Sequence, residues 1–195
     1  MAFRRFFLGF ILGILSFQVH SAEISGIKIE EKEKLANSEL TLNGAGLRKR
    51  AFFQVYVIGL YLPEKRTAAA DAIGAAGPKR IAIHMVRDVG ADQFGDALMD
   101  GMKDNLSESE MKALDPRVKQ LMAIMGQMKE ARKGMRITLD WTTAGTQMSV
   151  DGRATGAPIA GEDFYRALLK IWLGENPVQE DLKKALLGEM RGEKQ

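Results

Sequence analysis

Leu42-Asn43-Gly44-Ala45-Gly46-Leu47-Arg48-Lys49-Arg50-Ala51-Phe52-Phe53-Gln54-Val55-Tyr56-Val57-Ile58-Gly59-Leu60-Tyr61-Leu62 is the stretch whose reading decides the fold. Ala51 to Leu62 is dense in Phe, Val, Tyr, Ile and Leu, carries Gly59 inside it and is ended by Pro63, so it reads as the strongest strand of the chain. Leu40 and Leu42 alternate with polar neighbours and read as a short strand running into the turn residues Asn43 and Gly44. Gly44-Ala45-Gly46 has the spacing of neither a dinucleotide-binding fingerprint nor a phosphate-binding loop with its lysine, and a tight turn is its expected role.

Upstream, Glu23 to Glu31 alternates imperfectly through Ile24, Ile27 and Ile29, another short strand. Downstream, alanine-rich Thr67 to Ala76 predicts a short helix, capped at Arg66 or Thr67 and stopped by Gly77-Pro78. Lys79 to Val89 reads as a strand with Ile81, Ile83 and Met85 on one face and Ala82, His84 and Val86 on the other, as in a sheet packed on one side and wet on the other. From Ala91 to about Lys129 the apolar spacing turns helical through Phe94, Leu98, Met102, Leu121, Met122, Met125 and Met128. Leu106-Ser107 and Asp115-Pro116 interrupt it, which predicts two or three helices.

Met135 to Trp141 alternates again, and Ala144-Gly145 and Asp151-Gly152 punctuate an antiparallel meander. Gly161-Glu162-Asp163 opens a helix with Phe164, Leu168, Ile171 and Trp172 in its stripe; Gly174 and Pro177 break it, and Val178 to Leu187 forms another before a polar tail expected to fray. Strands, helices, strands and helices in that order, without regular alternation, predict an α+β fold with an antiparallel sheet in one domain over 23–195.

Residues 1–22 read as a secretory signal: Arg4 and Arg5, an apolar run from Phe6 to Phe17, and small residues at Val19, Ser21 and Ala22 for cleavage. The expectation is an exported, periplasmic protein, with no transmembrane segment after signal removal, because a span takes about 20 apolar residues. The 28 Lys+Arg against 25 Asp+Glu lose two arginines with the signal, which leaves no basic footprint for nucleic acid. With no cysteine there is no disulfide and no thiol chemistry, and His84 alone in the mature part cannot build a multi-histidine metal site; no metal and no cofactor are expected. Glu162-Asp163 suits the positive end of a helix better than acid/base work. The methionines Met99, Met102, Met122, Met125 and Met128 suit either an irregular core or a flexible ligand cavity.

The stretch from Leu42 to Leu62 resembles the chalcone isomerase family, in particular bacterial chalcone isomerase-like proteins. Gly161-Glu162-Asp163-Phe164 through Ile171-Trp172-Leu173-Gly174, Pro177 and Leu186-Leu187-Gly188 is similar to that family's carboxy-terminal signature. The resemblance implies helices packed on one face of the sheet with a ligand cleft between them. Plant members either cyclise chalcones to flavanones or bind fatty acids without catalysis. The family arginine after the Gly-x-Gly step falls at Arg48, and Tyr56 stands where the fatty-acid-binding branch has a tyrosine and the catalytic branch a threonine. The catalytic tyrosine, asparagine and late Ser/Thr fall at Phe94, Gly101 and about Ile171, so their polar groups are missing.

The resemblance therefore implies a site for a fatty acid or similar apolar carboxylate at Arg48 and Tyr56, lined by Phe52, Phe94, Met122 and Met125. Two alternatives stand beside it: a chalcone isomerase-type intramolecular lyase with Arg48 stabilising the developing anion, and a ligand-free envelope interaction module. On composition alone, Arg48-Lys49-Arg50 is also a solvated basic turn and Tyr56 an ordinary strand aromatic.

Overall fold

The computed structural model describes residues 21–189. The signal read at 1–22 thus lies outside the described residues, except for Ser21 and Ala22, which sit in the first strand. The polar tail lies outside them from residue 190 onward.

In chain order the strands are β1 (Ser21–Ile24), β2 (Ile27–Glu30), β3 (Lys32–Leu35), β4 (Ser38–Arg50), β5 (Phe53–Leu62), β6 (Lys79–Met85), β7 (Val89–Gly90), β8 (Glu130–Ala131), β9 (Arg136–Thr142), β10 (Gly145–Val150) and β11 (Arg153–Ile159). The helices are α1 (Ala69–Gly74), α2 (Ala91–Lys103), α3 (Glu108–Met125), α4 (Glu162–Leu173) and α5 (Glu180–Leu186). An antiparallel sheet in the order β11-β10-β9-β6-β5-β4-β3 forms the body, with β1–β2 and β7–β8 as small antiparallel pairs beside it. The α+β reading holds.

The β4–β5–β6 register lines up Ile58, Leu60, Ile81, Ile83 and Met85 on one face, and this face packs against α2 and α4 in the main core. The opposite face is not simply wet. Ile29, Leu40, Val57, Tyr61 and Ala82 form a second buried cluster there, under the β1–β2 hairpin. β3 is separated from β6 by two intervening strands, about 14 Å in a flat sheet, yet Glu33 of β3 meets Arg80 of β6 at 2.6 Å and Arg136 of β9 at 2.6 Å. The sheet curls to bring that edge over its own face. Burial pushes the Glu33 carboxyl up, but the two guanidiniums outweigh it and hold it below the usual carboxylate range.

Two local readings change in the folded chain. β4 runs unbroken through Asn43-Gly44-Ala45-Gly46, so this is strand and not a turn. A Cβ on Gly44 would lie 2.1 Å from the carbonyl oxygen of Ala185, and one on Gly46 would lie 2.7 Å from Leu182. The glycines let α5 rest directly on the strand. Asn43 is buried: its amide donates to the carbonyls of Arg66 (2.9 Å) and Leu186 (2.7 Å) and accepts from the Arg66 N–H (2.6 Å), tying β4 to both neighbours. Secondly, Asp115-Pro116 does not interrupt: α3 starts at a Ser107–Glu110 capping box and continues through Pro116. The residue whose carbonyl loses its helical donor, Lys112, is exposed, so that carbonyl is not sealed in the core.

Candidate functional site

Arg48 and Tyr56 are direct cross-strand partners at the end of the β4–β5 hairpin, so their side chains leave the same face of the sheet side by side. That face is also the one bearing Gly44 and Gly46, two residues apart along β4. Because the glycines admit α5, the residue before it, Gln179, reaches the strand end. Its side-chain oxygen accepts from the Lys49 N–H (2.8 Å) and from Arg48 Nη1 (3.4 Å), and its amide nitrogen donates to the Leu47 carbonyl (3.2 Å). Arg48 Nη1 also donates to the Lys49 carbonyl. The partners of this guanidinium are thus a carbonyl and an amide oxygen, and its charge is not neutralised by either.

Tyr56 is 6% exposed, and its ring meets Phe94 of α2 edge-on, with centroids 6.3 Å apart and planes at 74°. Trp172 of α4 donates its indole N–H to the Tyr56 hydroxyl oxygen at 3.0 Å. An indole nitrogen only donates, so the tyrosine's own O–H is left to donate elsewhere. Burial pushes the Tyr56 phenol up, and the Trp172 N–H and the Arg48 charge pull it back only in part. The hydroxyl keeps its proton at neutral pH.

A cleft of about 460 Å³ opens beside this pair, between the hairpin, α2 and the α4–α5 link. That is within the roughly 300–1,000 Å³ of small-molecule sites. Its walls include Val55, Phe94, Leu98, Ile171 and Val178, and its charged lining is Arg48, Arg50 and Arg87 with the acid Asp88. The arrangement suits a molecule that is apolar for most of its length and anionic at one end. An anionic oxygen set between Arg48 and Tyr56 would receive one N–H and one O–H bond.

Of the residues singled out in the sequence, Arg48, Tyr56 and Phe94 come together at this cleft. Phe52 does not line it. Ala51-Phe52 is the hairpin turn, Phe52 is 100% exposed there, and its neighbour Phe53 faces the cleft instead. Met122 and Met125 do not line it either: they sit on α3, where Met125 is buried in the main core and the Met122 sulfur packs where Gly95 of α2 leaves room. The core reading of the methionines holds for these two. Gly101 and Ile171 touch one another, and a Cβ on Gly101 would lie 2.8 Å from Ile171, so α2 and α4 close there as an apolar contact.

Glu162 and Asp163 are structural. Glu162 pairs at 2.8 Å with Lys79, whose side chain is wholly buried, and Asp163 makes a two-bond fork with Arg117 at 2.6 and 2.8 Å. Lys79 holds the Glu162 carboxyl below its usual range, while burial lowers Lys79 itself. His84 points to the other face of the sheet, where burial and then Arg136 push its pKa down and keep it neutral. Among the described residues no cluster of three His, Cys, Asp or Glu could hold a metal, and no helix is long and apolar enough to cross a membrane.

Sequence reasoning missed the roles of Trp172, Gln179, Phe53 and Arg87. Trp172 carried a usable signal, since an indole in an apolar stripe needs an acceptor once buried. Gln179 carried none, because its role depends on where α5 lands.

A family model described as chalcone isomerase-like matches residues 21–188. No curated protein matches the sequence. Among solved structures, the crystal structure of a fatty-acid binding protein from Arabidopsis thaliana is similar, with a TM-score of 0.67 and 16% identity over 86% of this chain and 96% of that one. At that identity the likeness is one of fold.

Proposed function

The chain belongs to the chalcone isomerase-like family, and we propose that it is an exported, periplasmic binding protein for a fatty acid or a similar apolar carboxylate. One observation carries the reading: at a mostly apolar cleft, an arginine with no carboxylate partner among the described residues and a tyrosine hydroxyl sit side by side on one sheet face. An alkyl chain entering the cleft gains about 0.8 kcal/mol per buried methylene. The two donors at Arg48 and Tyr56 offset desolvation of the carboxylate. Phe94 places a ring, not a hydroxyl, against Tyr56, and Gly101 has no room for a side chain, which favours binding over turnover. The Arabidopsis protein of the same fold is by its title a fatty-acid binding protein, which supports the same reading. Export rests on Arg4, Arg5 and the apolar run from Phe6 to Phe17.

The test is native mass spectrometry of the protein from its own host, with extraction of what co-purifies and an intact mass that locates the mature N-terminus. A bound fatty acid is expected, and Arg48→Ala should weaken its affinity by about 10-fold or more, the loss of a bond to a charged group. Unchanged affinity in Arg48→Ala would refute the site. An intact mass that retains residues 1–22 would refute export by a cleaved signal.

A further inference from the structure

The hairpin that carries Arg48 and Tyr56 ends in a tip with its own chemistry. The turn Ala51-Phe52 is closed by the Arg50–Phe53 pair, and Ala51 sits at φ +52°, in the left-handed region that glycine prefers. Phe52 is 100% exposed and Phe53 60%, the large apolar side chains left open among the described residues. Cations flank them. Lys49 and Arg50 precede the turn, and the Arg87 guanidinium stands 4.5 Å from the centre of the Phe53 ring. The acid of the group, Asp88, is engaged by the Lys133 N–H at 2.7 Å. Isolated exposed apolar residues are ordinary, but two adjacent aromatics at a hairpin turn flanked by three cations are a patterned surface.

We propose that this tip docks the protein on an anionic lipid bilayer, with the Phe52 ring set at the headgroup boundary and Lys49, Arg50 and Arg87 against lipid phosphates. The pairing of an aromatic with flanking cations is the chemistry that interfacial binding uses, and each lysine or arginine at an anionic surface strengthens it about fivefold. A second copy of the chain fits the tip poorly, because a two-fold contact through Phe52 would bring one set of these cations against another. The docking surface stands on the tip alone. Its use as an entry route rests on the fatty-acid reading: Arg50, Phe53 and Arg87 also line the cleft, so a ligand leaving the bilayer would enter without crossing water.

The experiment is co-sedimentation of the processed protein, its N-terminus defined by intact mass, with vesicles of phosphatidylcholine alone or mixed with phosphatidylglycerol. Binding is expected to the mixed vesicles and to weaken with added salt. Phe52→Ala should lower it about 10-fold and Lys49→Ala about fivefold. Both variants should keep the wild-type circular dichroism, and Phe52→Ala the wild-type fatty-acid affinity in vesicle-free solution, since Phe52 lies outside the cleft. Equal binding by wild type and Phe52→Ala, or no binding to anionic vesicles, would overturn the proposal. So would a concentration-dependent dimer that Phe52→Ala dissolves in the absence of vesicle binding. A wild-type protein that binds fatty acid in solution but does not dock would sink this proposal alone, whereas docking by a wild-type protein that binds no fatty acid would sink only the reading of the cleft.

Discussion

A double-mutant cycle on Tyr56 and Trp172 tests the inner end of the cleft most directly. The two side chains are 6% and 1% exposed and share one bond, indole N–H to hydroxyl oxygen, at 3.0 Å. Tyr56→Phe removes the acceptor and leaves a buried N–H with nothing to bond, a cost of about 1–3 kcal/mol in stability. Trp172→Phe removes the donor and part of a packed ring, costing about 2 kcal/mol, mostly through the space left behind. When both are changed no orphaned donor remains, so the double variant should be more stable than the sum of the single losses by about 1–2 kcal/mol. Urea midpoints of the four ligand-free proteins measure this. In the same set, Tyr56→Phe should weaken fatty-acid binding about 10-fold or more, because the hydroxyl proton that Trp172 leaves free is the one offered to the carboxylate. Additivity within about 0.3 kcal/mol would refute the hydrogen-bonded pair, and unchanged affinity in Tyr56→Phe would refute its role in holding the ligand.

All three tyrosines of the chain are held above the ordinary phenol range: Tyr56 and Tyr165 by burial first, Tyr61 by burial and then the Glu33 carboxylate. An unfolded tyrosine titrates near pH 10, so above that pH the unfolded chain loses protons that the folded one keeps. Their contribution to stability is full below about pH 10 and falls as pH rises further. Phenolate absorbance should therefore stay flat in the folded protein and appear together with alkaline unfolding; a phenolate step near pH 10 with the fold intact would contradict this. Gly44→Ala should destabilise by about 3 kcal/mol or more, since its methyl would meet two backbone carbonyls of α5 at 2.1 and 2.6 Å. The same change at Gly74, which has open space around it, should leave the melting temperature nearly unchanged, and a matched loss at both sites would count against the packing argument.

Much of the fold was legible because period-two and helical apolar patterns record which side of an element is buried. β6 shows it: Ile81, Ile83 and Met85 lie in the main core, and Ala82 lies in the second cluster. Asn43 and the two glycines near it read as a turn in the sequence for a physical reason. A glycine needed for a turn and one needed for a close approach look the same locally, and here the approaching group is a carbonyl of α5, far along the chain. The true turn, Ala51-Phe52, lacks the usual turn residues, because Ala51 adopts a left-handed conformation that its sequence neighbours do not announce. Placing Phe52 in the strand instead of the turn moved it from the tip into the cleft, and the exchange of Phe52 for Phe53 follows from that shift.

The sequence by itself determined the α+β class, the order of the elements, and the resemblance that singled out Arg48, Tyr56 and Phe94, because these rest on local periodicity and short motifs. Only the tertiary structure decided that Trp172 directs the Tyr56 hydroxyl, that Gln179 braces Arg48, and that Met122 and Met125 belong to the core. It also put Phe52 at an exposed tip beside Phe53, whose ring meets the Arg87 guanidinium. Periodicity says which face of an element is covered; what covers it depends on contacts between segments distant in the chain, and those form only when the helices settle on the curled sheet.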